Sequence, residues 1–236
     1  MPKKVSISVV IPAFNEEKYI KNVLQSLKSQ TFKDFETIVV DGGSSDTTRA
    51  MARSCAKVLV EPKRGIARAR NKGACAAAGK ILVFLDADTK PCNKLLETYY
   101  NALQEKGVIA ATGPILPLEK SSKRINLGYK LVSIFFVKMS ILLGRPSIVG
   151  LNFAVRKDAF RRVGGFNNSF ITYEDWDLSL RLRQVGEIRY LDEAVVYTSV
   201  RRIKAWGVFR FFTYHIGNIF RYHIFRKPND CYEPIR

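Results

Sequence analysis

The chain has 236 residues, a formal net charge of +18, 47% hydrophobic residues and 25% charged residues. This composition is typical of a globular protein and excludes a disordered or low-complexity chain. The positive charge predicts a surface that attracts anions, which leaves nucleic acid, an anionic membrane and phosphorylated substrates as candidate partners.

The first half of the chain alternates strand and helix patterns. Short apolar runs predict strands buried on both faces at residues 7–11, 37–40, 58–60 and 81–85. The segments between them predict helices at residues 16–29, 44–55 and 65–78. This alternation predicts a parallel sheet with right-handed crossovers and helices on its faces.

The second half is less regular. Its patterns predict helices at residues 95–106, 127–143 and 174–185, and strands at residues 108–112, 188–191 and 195–198. The apolar segment Leu127–Leu143 contains Lys130 and Lys138, and we expect it to be too short and too polar to span a membrane.

The N-terminal segment and the cysteines predict a protein on the cytoplasmic side of the membrane. The first apolar run has no small-residue cleavage site, so the sequence predicts a strand there rather than a signal peptide. The four cysteines form no CxxC pair and lack zinc-ligand spacing, which predicts free thiols in a reducing compartment.

Polar residues follow three of the predicted strands. Asn15, Asp41 and Asp86 stand at or just after strand ends, and ligands of parallel sheets bind outside those ends. Asp86 and Asp88 lie two apart, so their carboxylates share a side of an extended chain. Such a pair suits a hard divalent cation completed by phosphate oxygens, although both residues could simply cap a turn.

Two further clusters carry charge. Lys63, Arg64, Arg68 and Arg70 lie before and inside the third predicted helix, whose N-terminus favours phosphate; the alternative is a solvated basic face. Residues 173–177 hold three carboxylates, and their mutual repulsion favours a raised pKa that suits a general base. These acids could equally be charges that stabilise a helix N-terminus.

In combination, five segments resemble family 2 glycosyltransferases with the GT-A fold. The segments, in chain order, are VVIPAFNEEKYI (9–20), IVVDGGSSDTT (38–48), GIARARNKGACAAAGKILVFLDAD (65–88), GLNFAVRKDAFRRVGGFN (150–167) and EDWDLSLRLR (174–183). The resemblance implies an α/β, Rossmann-like, mixed and mostly parallel sheet flanked by helices. It implies an inverting enzyme that uses a nucleotide-sugar donor.

The resemblance also implies roles for matching residues. The nucleotide pocket would be formed by Pro12, Ala13, Asn15, Glu16, Asp41, Arg68 and Asp86. Asp41 would bind the base, Arg68 would lie near the diphosphate, and Asp88 with Asp86 would ligate Mg²⁺ or Mn²⁺. Asp175, preceded by Glu174, would be the catalytic base. The acceptor side would include Gly150, Leu151, Asn152 and Trp176.

Three departures from the family pattern refine these expectations. Thr89 replaces a further Asp that many relatives carry, and residues 197–199 replace a metal-binding His. The metal would then be held chiefly by Asp88 and the diphosphate. The chain lacks a Gln-x-x-Arg-Trp motif, which argues against processive polymer synthesis.

The C-terminal segment has a distinct composition. Residues 201–227 contain seven Lys or Arg, eight aromatic residues and no acid. This pattern predicts an amphipathic helix on an anionic membrane surface, or a helix packed over the acceptor cleft. We therefore expect a catalytic domain at residues 1–198, with nucleotide-binding and acceptor-binding halves at 1–113 and 114–198, and an extension at 199–236.

A peripheral position on the cytoplasmic face of the cell membrane suggests a lipid-linked acceptor such as a polyprenyl phosphate. The donor stays open between UDP- and GDP-sugars. The alternatives are an inactive nucleotide-sugar-binding relative, a nucleotidyltransferase and a nucleic-acid-binding protein. The last is disfavoured because the clustered acids would repel a nucleic-acid backbone.

Overall fold

The computed structural model describes residues 5–207, 209–211, 213–214, 217–218 and 221. A seven-stranded sheet forms the centre, in the order β3-β2-β1-β4-β8-β6-β9. Its strands are β1 Ile7–Ala13, β2 Phe35–Asp41, β3 Lys57–Val60, β4 Ile81–Leu85, β6 Val108–Thr112, β8 Asn152–Arg156 and β9 Glu187–Tyr190. Strand β8 runs antiparallel to β4 and β6, and the other pairs are parallel. The predicted mixed, mostly parallel sheet is confirmed.

Three short strands form a second sheet, in the order β5-β10-β7. These strands are β5 Thr89–Pro91, β7 Ile115–Pro117 and β10 Val196–Thr198. Strand β4 of the large sheet ends at Leu85 and β5 of the second sheet begins at Thr89, so the two sheets anchor the chain on either side of Asp86 and Asp88. The sequence patterns predicted β10 but missed β5, β7 and β8, because three-residue strands and a strand inside a motif leave little periodicity.

Helices cover the sheet. They are α1 Ile20–Lys28, α2 Thr48–Arg53, α3 Ile66–Ala76, α4 Leu95–Gln104, α5 Lys123–Tyr129, α6 Val137–Leu142, α7 Lys157–Arg162, α8 Glu174–Arg183 and α9 Arg201–Trp206. Two apolar cores lie on the two faces of the sheet, since neighbouring residues of β1 such as Val9 and Val10 belong to different cores. Helix α3 approaches β1 closely at Gly73, where an added Cβ would lie 2.3 Å from Val10 Cγ1.

The apolar segment of the second half forms a longer helix than its pattern predicts. Helix α5, a π-helical segment at Lys130–Phe136 and α6 are continuous from Lys123 to Leu142. By length and composition this 20-residue helix could cross a membrane, and 12% of its most apolar window is buried. The expectation that the segment is too short and too polar is therefore wrong in length and composition.

The prediction of free thiols is confirmed for the three described cysteines. Cys55, Cys75 and Cys92 are free thiols, and Cys231 lies outside the described residues.

The C-terminal segment begins with a short helix. Helix α9 ends at Trp206, before Gly207 with φ 78°. Twelve of residues 201–227, including Phe212 and Phe220, lie outside the described residues, and the binding of this segment to a membrane stays a prediction.

Candidate active site

The carboxyl ends of β1, β2 and β4 meet at one edge of the large sheet. Beyond β1, Asn15 adopts a left-handed backbone with φ 54°, which Asn tolerates better than most residues. Its amide N–H donates to Ser44 Oγ at 2.9 Å, and its Oδ1 accepts from the Ser45 N–H at 2.9 Å. These bonds tie the loop after β1 to the loop after β2. Pro12 and Ala13 are the last two residues of β1.

Asp41 ends β2 and is fully buried. Its carboxylate accepts hydrogen bonds from the backbone N–H groups of Gly43 and Ser44 and from the guanidinium of Arg49, whose Nη2 is 2.8 Å from Oδ2. Burial raises the pKa of Asp41, but these hydrogen bonds lower it overall. Asp41 thus stays ionised and holds the loop after β2, and its contact with the nucleotide base stays a prediction.

Arg70 links the end of β4 to the start of α8. Its side chain is 2% exposed, Nη2 is 2.9 Å from Asp86 Oδ1, and Nη1 is 2.6 Å from Glu174 Oε1. An added Cβ on Gly150 would lie 2.5 Å from Nη1, so a side chain there would displace the guanidinium. The basic cluster predicted from sequence therefore contains a central site residue, although no role was predicted for Arg70.

Arg68, the residue predicted to face the diphosphate, lies two positions earlier on α3. Its half-exposed stem packs near Gly65, and within the described part of the chain it has no ion pair. Its role near the diphosphate stays a prediction.

Asp88 meets a guanidinium from the far end of the chain. Arg201 Nη2 lies 3.1 Å from Asp88 Oδ2, and Arg201 also forms two hydrogen bonds with Glu16. Burial raises the pKa of Asp88 to about 7, with a further contribution from Asp86, while Arg201 lowers it. Arg201 therefore only partly offsets the effect of burial and of Asp86 on the pKa of Asp88. Sequence reasoning missed Arg201 because it counted this residue as part of the basic tail.

The acidic cluster lies at the N-terminus of α8. Tyr173 precedes it with φ 67°, a strained conformation for a bulky residue, and its ring stacks on Trp176 with centroids 5.5 Å apart. Asp175 Oδ2 accepts from the Gly150 N–H at 2.8 Å, and Oδ1 accepts from the Trp176 N–H at 2.8 Å. Burial raises the pKa of both Glu174 and Asp175. In Glu174 the neighbouring Asp175 raises the pKa further, while in both acids Arg70 opposes the rise.

The predicted acceptor residues divide into two groups. Gly150 and Trp176 lie at Asp175, and Leu151 follows Gly150 in the same half-buried turn. Asn152 is 0% exposed; it accepts from Tyr99 Oη and donates to the carbonyls of Pro114 and Ala194. A side chain so enclosed cannot reach an acceptor, so the prediction for Asn152 is corrected to a role in joining the two sheets.

The chemistry of the Asp86 and Asp88 pair fits a hard divalent cation. Both offer carboxylate oxygens, the ligands that Mg²⁺ and Mn²⁺ prefer. Among the residues that the structure describes, no cluster of three or more His, Cys, Asp or Glu could enclose a metal by itself. The two aspartates could therefore hold a cation together with oxygens of a bound diphosphate and water.

Residues 8–164 match the family model described as glycosyl transferase family 2, which covers more than half of the chain. The chain belongs to glycosyl transferase family 2. Residues 131–198 of this glycosyltransferase also match a model described as N-terminal domain of galactosyltransferase.

The similar curated proteins are themselves described as glycosyltransferases. This glycosyltransferase is 30% identical over 198 residues to an uncharacterized glycosyltransferase of Haemophilus influenzae, covering 75% of this chain and 62% of the relative. It is 31% identical over 189 residues to the glycosyltransferase AglE of Haloferax volcanii, covering 76% of this chain and 62% of the relative. The chain thus spans less than two thirds of the length of these relatives.

Solved structures share the fold. A mannosyltransferase of Pyrobaculum calidifontis in complex with GDP-Man and Mn²⁺ has a TM-score of 0.67 at 20% identity, covering 92% of this chain and 68% of that one. The S. aureus protein TarS, residues 1–349 in complex with UDP-GlcNAc, has a TM-score of 0.66 at 20% identity, covering 84% of this chain and 59% of that one. These likenesses confirm the GT-A fold.

The structure predicts that Arg70→Met strongly destabilises the glycosyltransferase. The substitution leaves Glu174 and Asp86 without their shared cation, and breaking a buried pair in this way costs about 3–5 kcal/mol. We expect the loss to shrink as the pH falls, because protonated Glu174 needs no counter-ion. The free energy of unfolding in urea, measured between neutral and acidic pH, checks this.

Arg68→Met is the matched control, since Arg68 lies on the same helix without an ion pair among the described residues. Equal destabilisation by the two substitutions would contradict the bridging role of Arg70.

Proposed function

We propose that this glycosyltransferase moves a hexose from a UDP- or GDP-sugar to an acceptor hydroxyl by a single, inverting displacement. The observation that carries the proposal is the Arg70 bridge, which pairs Asp86, after β4, and Glu174, at the start of α8, with one guanidinium. The proposed metal ligands and the proposed general base, Asp175, are therefore close to the same arginine. Neighbouring structures hold GDP-Man or UDP-GlcNAc, so both nucleotides are retained as candidates.

The donor diphosphate would lie between Asp88 and the start of α3. Helix α3 begins after Gly65, whose φ of 137° only glycine adopts readily. The free backbone N–H groups of the first turn of α3 favour phosphate oxygens. Arg64 and Arg68 add positive charge there. A divalent cation at Asp86 and Asp88 would neutralise the charge that develops on the leaving diphosphate.

Asp175 would take the proton from the acceptor hydroxyl. The acceptor oxygen then forms a bond to the anomeric carbon while the bond from that carbon to the diphosphate oxygen breaks, and the nucleoside diphosphate leaves with the electron pair. The Gly150 and Trp176 N–H groups hold the carboxylate of Asp175 in place. Burial raises its pKa, which makes it a better proton acceptor than an exposed aspartate.

We expect Asp175→Asn to lower nucleoside-diphosphate release by at least about 100-fold, because a general base typically contributes 10²–10⁴-fold. In the unchanged enzyme, release should fall at acid pH as Asp175 becomes protonated. Since its pKa is raised, this fall should occur above the usual aspartate value of 3.8. Steady-state rates with a panel of UDP- and GDP-sugars across pH check both statements.

Asp177→Asn is the control, because Asp177 lies on the same helix and pairs with Arg181 at 2.5 Å. If Asp177→Asn abolished release and Asp175→Asn did not, the assignment of the base would be overturned.

The metal assignment gives a separate expectation. Asp88→Asn should weaken binding of UDP or GDP in Mn²⁺ by about 10-fold or more, since it removes a charged ligand, and should leave binding in EDTA nearly unchanged. Isothermal titration calorimetry in both media measures this. Asp192→Asn, at an exposed surface ion pair with Lys138, is the control. Equal nucleotide affinity in Mn²⁺ and in EDTA for the unchanged protein would reject the metal.

We further propose a lipid-linked acceptor, such as a polyprenyl phosphate or its glycosylated form, met at the cytoplasmic face of a membrane. The helix Lys123–Leu142 and the residue after it expose a large apolar surface, here called the apolar helix surface. Its members are Leu127, Leu131, Phe135, Leu142 and Leu143, which are 54–73% exposed. Monomeric soluble proteins rarely expose so many large apolar side chains together.

Two features connect the apolar helix surface to an anionic membrane and to the candidate active site. The surface is flanked by exposed cations, which would attract anionic lipid headgroups. These cations are Lys120, Lys123, Arg124, Lys130 and Arg145. On the same helix, the Phe136 ring lies 6.3 Å from the ring of Trp176, next to the proposed base. A lipid-linked acceptor held at this surface would therefore be close to Asp175.

We expect the purified protein to float with vesicles that contain phosphatidylglycerol. Leu131→Glu with Phe135→Glu should reduce the bound fraction at least several-fold, because the variant places two carboxylates in the membrane interface. Val60→Glu, at an exposed apolar residue of β3, should float like the unchanged protein. A protein that remains in the soluble fraction with every vesicle composition would overturn the membrane proposal and leave the transfer chemistry standing.

A further inference from the structure

Arg201, the first residue of α9, lies beside acidic residues that follow β1 and β4. Its Nη1 donates to Glu16 Oε2 at 2.8 Å and its Nη2 to Glu16 Oε1 at 2.6 Å. The same Nη2 is 3.1 Å from Asp88 Oδ2, and the guanidinium lies over the ring of Tyr19, 4.7 Å from its centroid. One cation thus joins the loop after β1, the end of β4 and the start of α9.

The backbone before Arg201 is fixed to the same carboxylate region. The Ser199 N–H donates to the Asp88 carbonyl at 3.1 Å, and Ser199 Oγ donates to Glu119 at 2.8 Å. The Val200 N–H donates to the other oxygen of Glu119 at 2.9 Å. Arg201 is therefore presented to Asp88 by an anchored turn and does not reach it as a flexible surface chain.

The charges explain what this cation does. Glu16, Asp86 and Asp88 bring three negative charges to one edge, while Arg70 is already shared between Asp86 and Glu174. Among the described residues, Arg201 is therefore the only cationic side chain within ion-pair distance of Asp88. Any divalent cation that binds Asp88 has to compete with this guanidinium for the same carboxylate.

We propose that Arg201 is a built-in counter-ion of Asp88 that makes metal binding depend on the nucleotide. A divalent cation alone must displace Arg201 and gains little net attraction. A nucleoside diphosphate adds negative charge, which lets the cation and Arg201 stay in the crevice together. Arg201 is thus a positioning residue for the donor complex, and this inference rests on the metal site of the proposed function.

The test is Mn²⁺ affinity with and without nucleotide, measured by electron paramagnetic resonance of free Mn²⁺ and corrected for Mn²⁺ bound to nucleotide in solution. In the unchanged protein, saturating UDP or GDP should tighten Mn²⁺ binding by about 5-fold or more. Arg201→Gln should tighten binding of Mn²⁺ alone and reduce the effect of nucleotide. A residue that only supports the fold would weaken Mn²⁺ binding when replaced.

Arg201→Lys keeps the proposal testable if Arg201→Gln does not fold. An ammonium group is a single point charge and cannot hold Glu16 and Asp88 at once as the guanidinium fork does, so it should tighten Mn²⁺ binding by a smaller factor. Arg202→Gln, whose guanidinium lies 5.2 Å from the Trp206 ring centroid, is the neighbouring control and should behave like the unchanged protein.

The outcomes separate the two claims. If Arg201→Gln leaves Mn²⁺ affinity unchanged or lowers it while nucleotide still tightens Mn²⁺ binding, the counter-ion role is overturned and the metal site stands. If the unchanged protein binds no Mn²⁺ even with UDP or GDP, the metal assignment fails and this inference fails with it.

Discussion

The site depends on the buried ion pairs of Arg70. The guanidinium of Arg70 is 2% exposed and has to be paired with carboxylates, because an unpaired charge in the interior is very costly. It finds Asp86 at the end of β4 and Glu174 at the start of α8, two segments that no local interaction brings together. Gly150 leaves the space in which the guanidinium lies. The proposed metal ligand Asp86 and the start of α8, which carries the proposed base, are thus joined by one side chain.

A second guanidinium repeats this arrangement at the other aspartate. Arg201 joins Asp88 to Glu16 as Arg70 joins Asp86 to Glu174, so each member of the Asp86 and Asp88 pair has its own arginine. The two pairs differ in burial, since Arg70 is enclosed by the core and Arg201 is 16% exposed. Of the two bridges, the one formed by Arg201 is more accessible to solvent, and it is the one that we propose responds to a bound diphosphate and cation.

The sequence predicts the first half of the fold well because buried parallel strands are continuous apolar runs with helices between them. It misses β8, since this strand is antiparallel and lies within a motif, and it gives no role to Arg70, which the structure buries between Asp86 and Glu174. Arg68 and Arg70 stand in the same pattern, and only packing against Gly150 and Glu174 distinguishes them. The position of Arg201 in the site cannot be predicted from local sequence patterns, because its partner Glu16 is 185 positions away. For Asn152 the resemblance implies a role in acceptor binding, whereas the structure buries this side chain between the two sheets.

The most direct measurement is a crystal structure of the protein grown with UDP or GDP and Mn²⁺, with the metal located by anomalous scattering. We expect a Mn²⁺ peak in coordination distance of Asp88, with the diphosphate between Asp88 and the N-terminus of α3 and the open side of the complex facing Asp175. A nucleotide bound away from the ends of β1, β2 and β4, or a peak remote from Asp88, would contradict the proposed donor site.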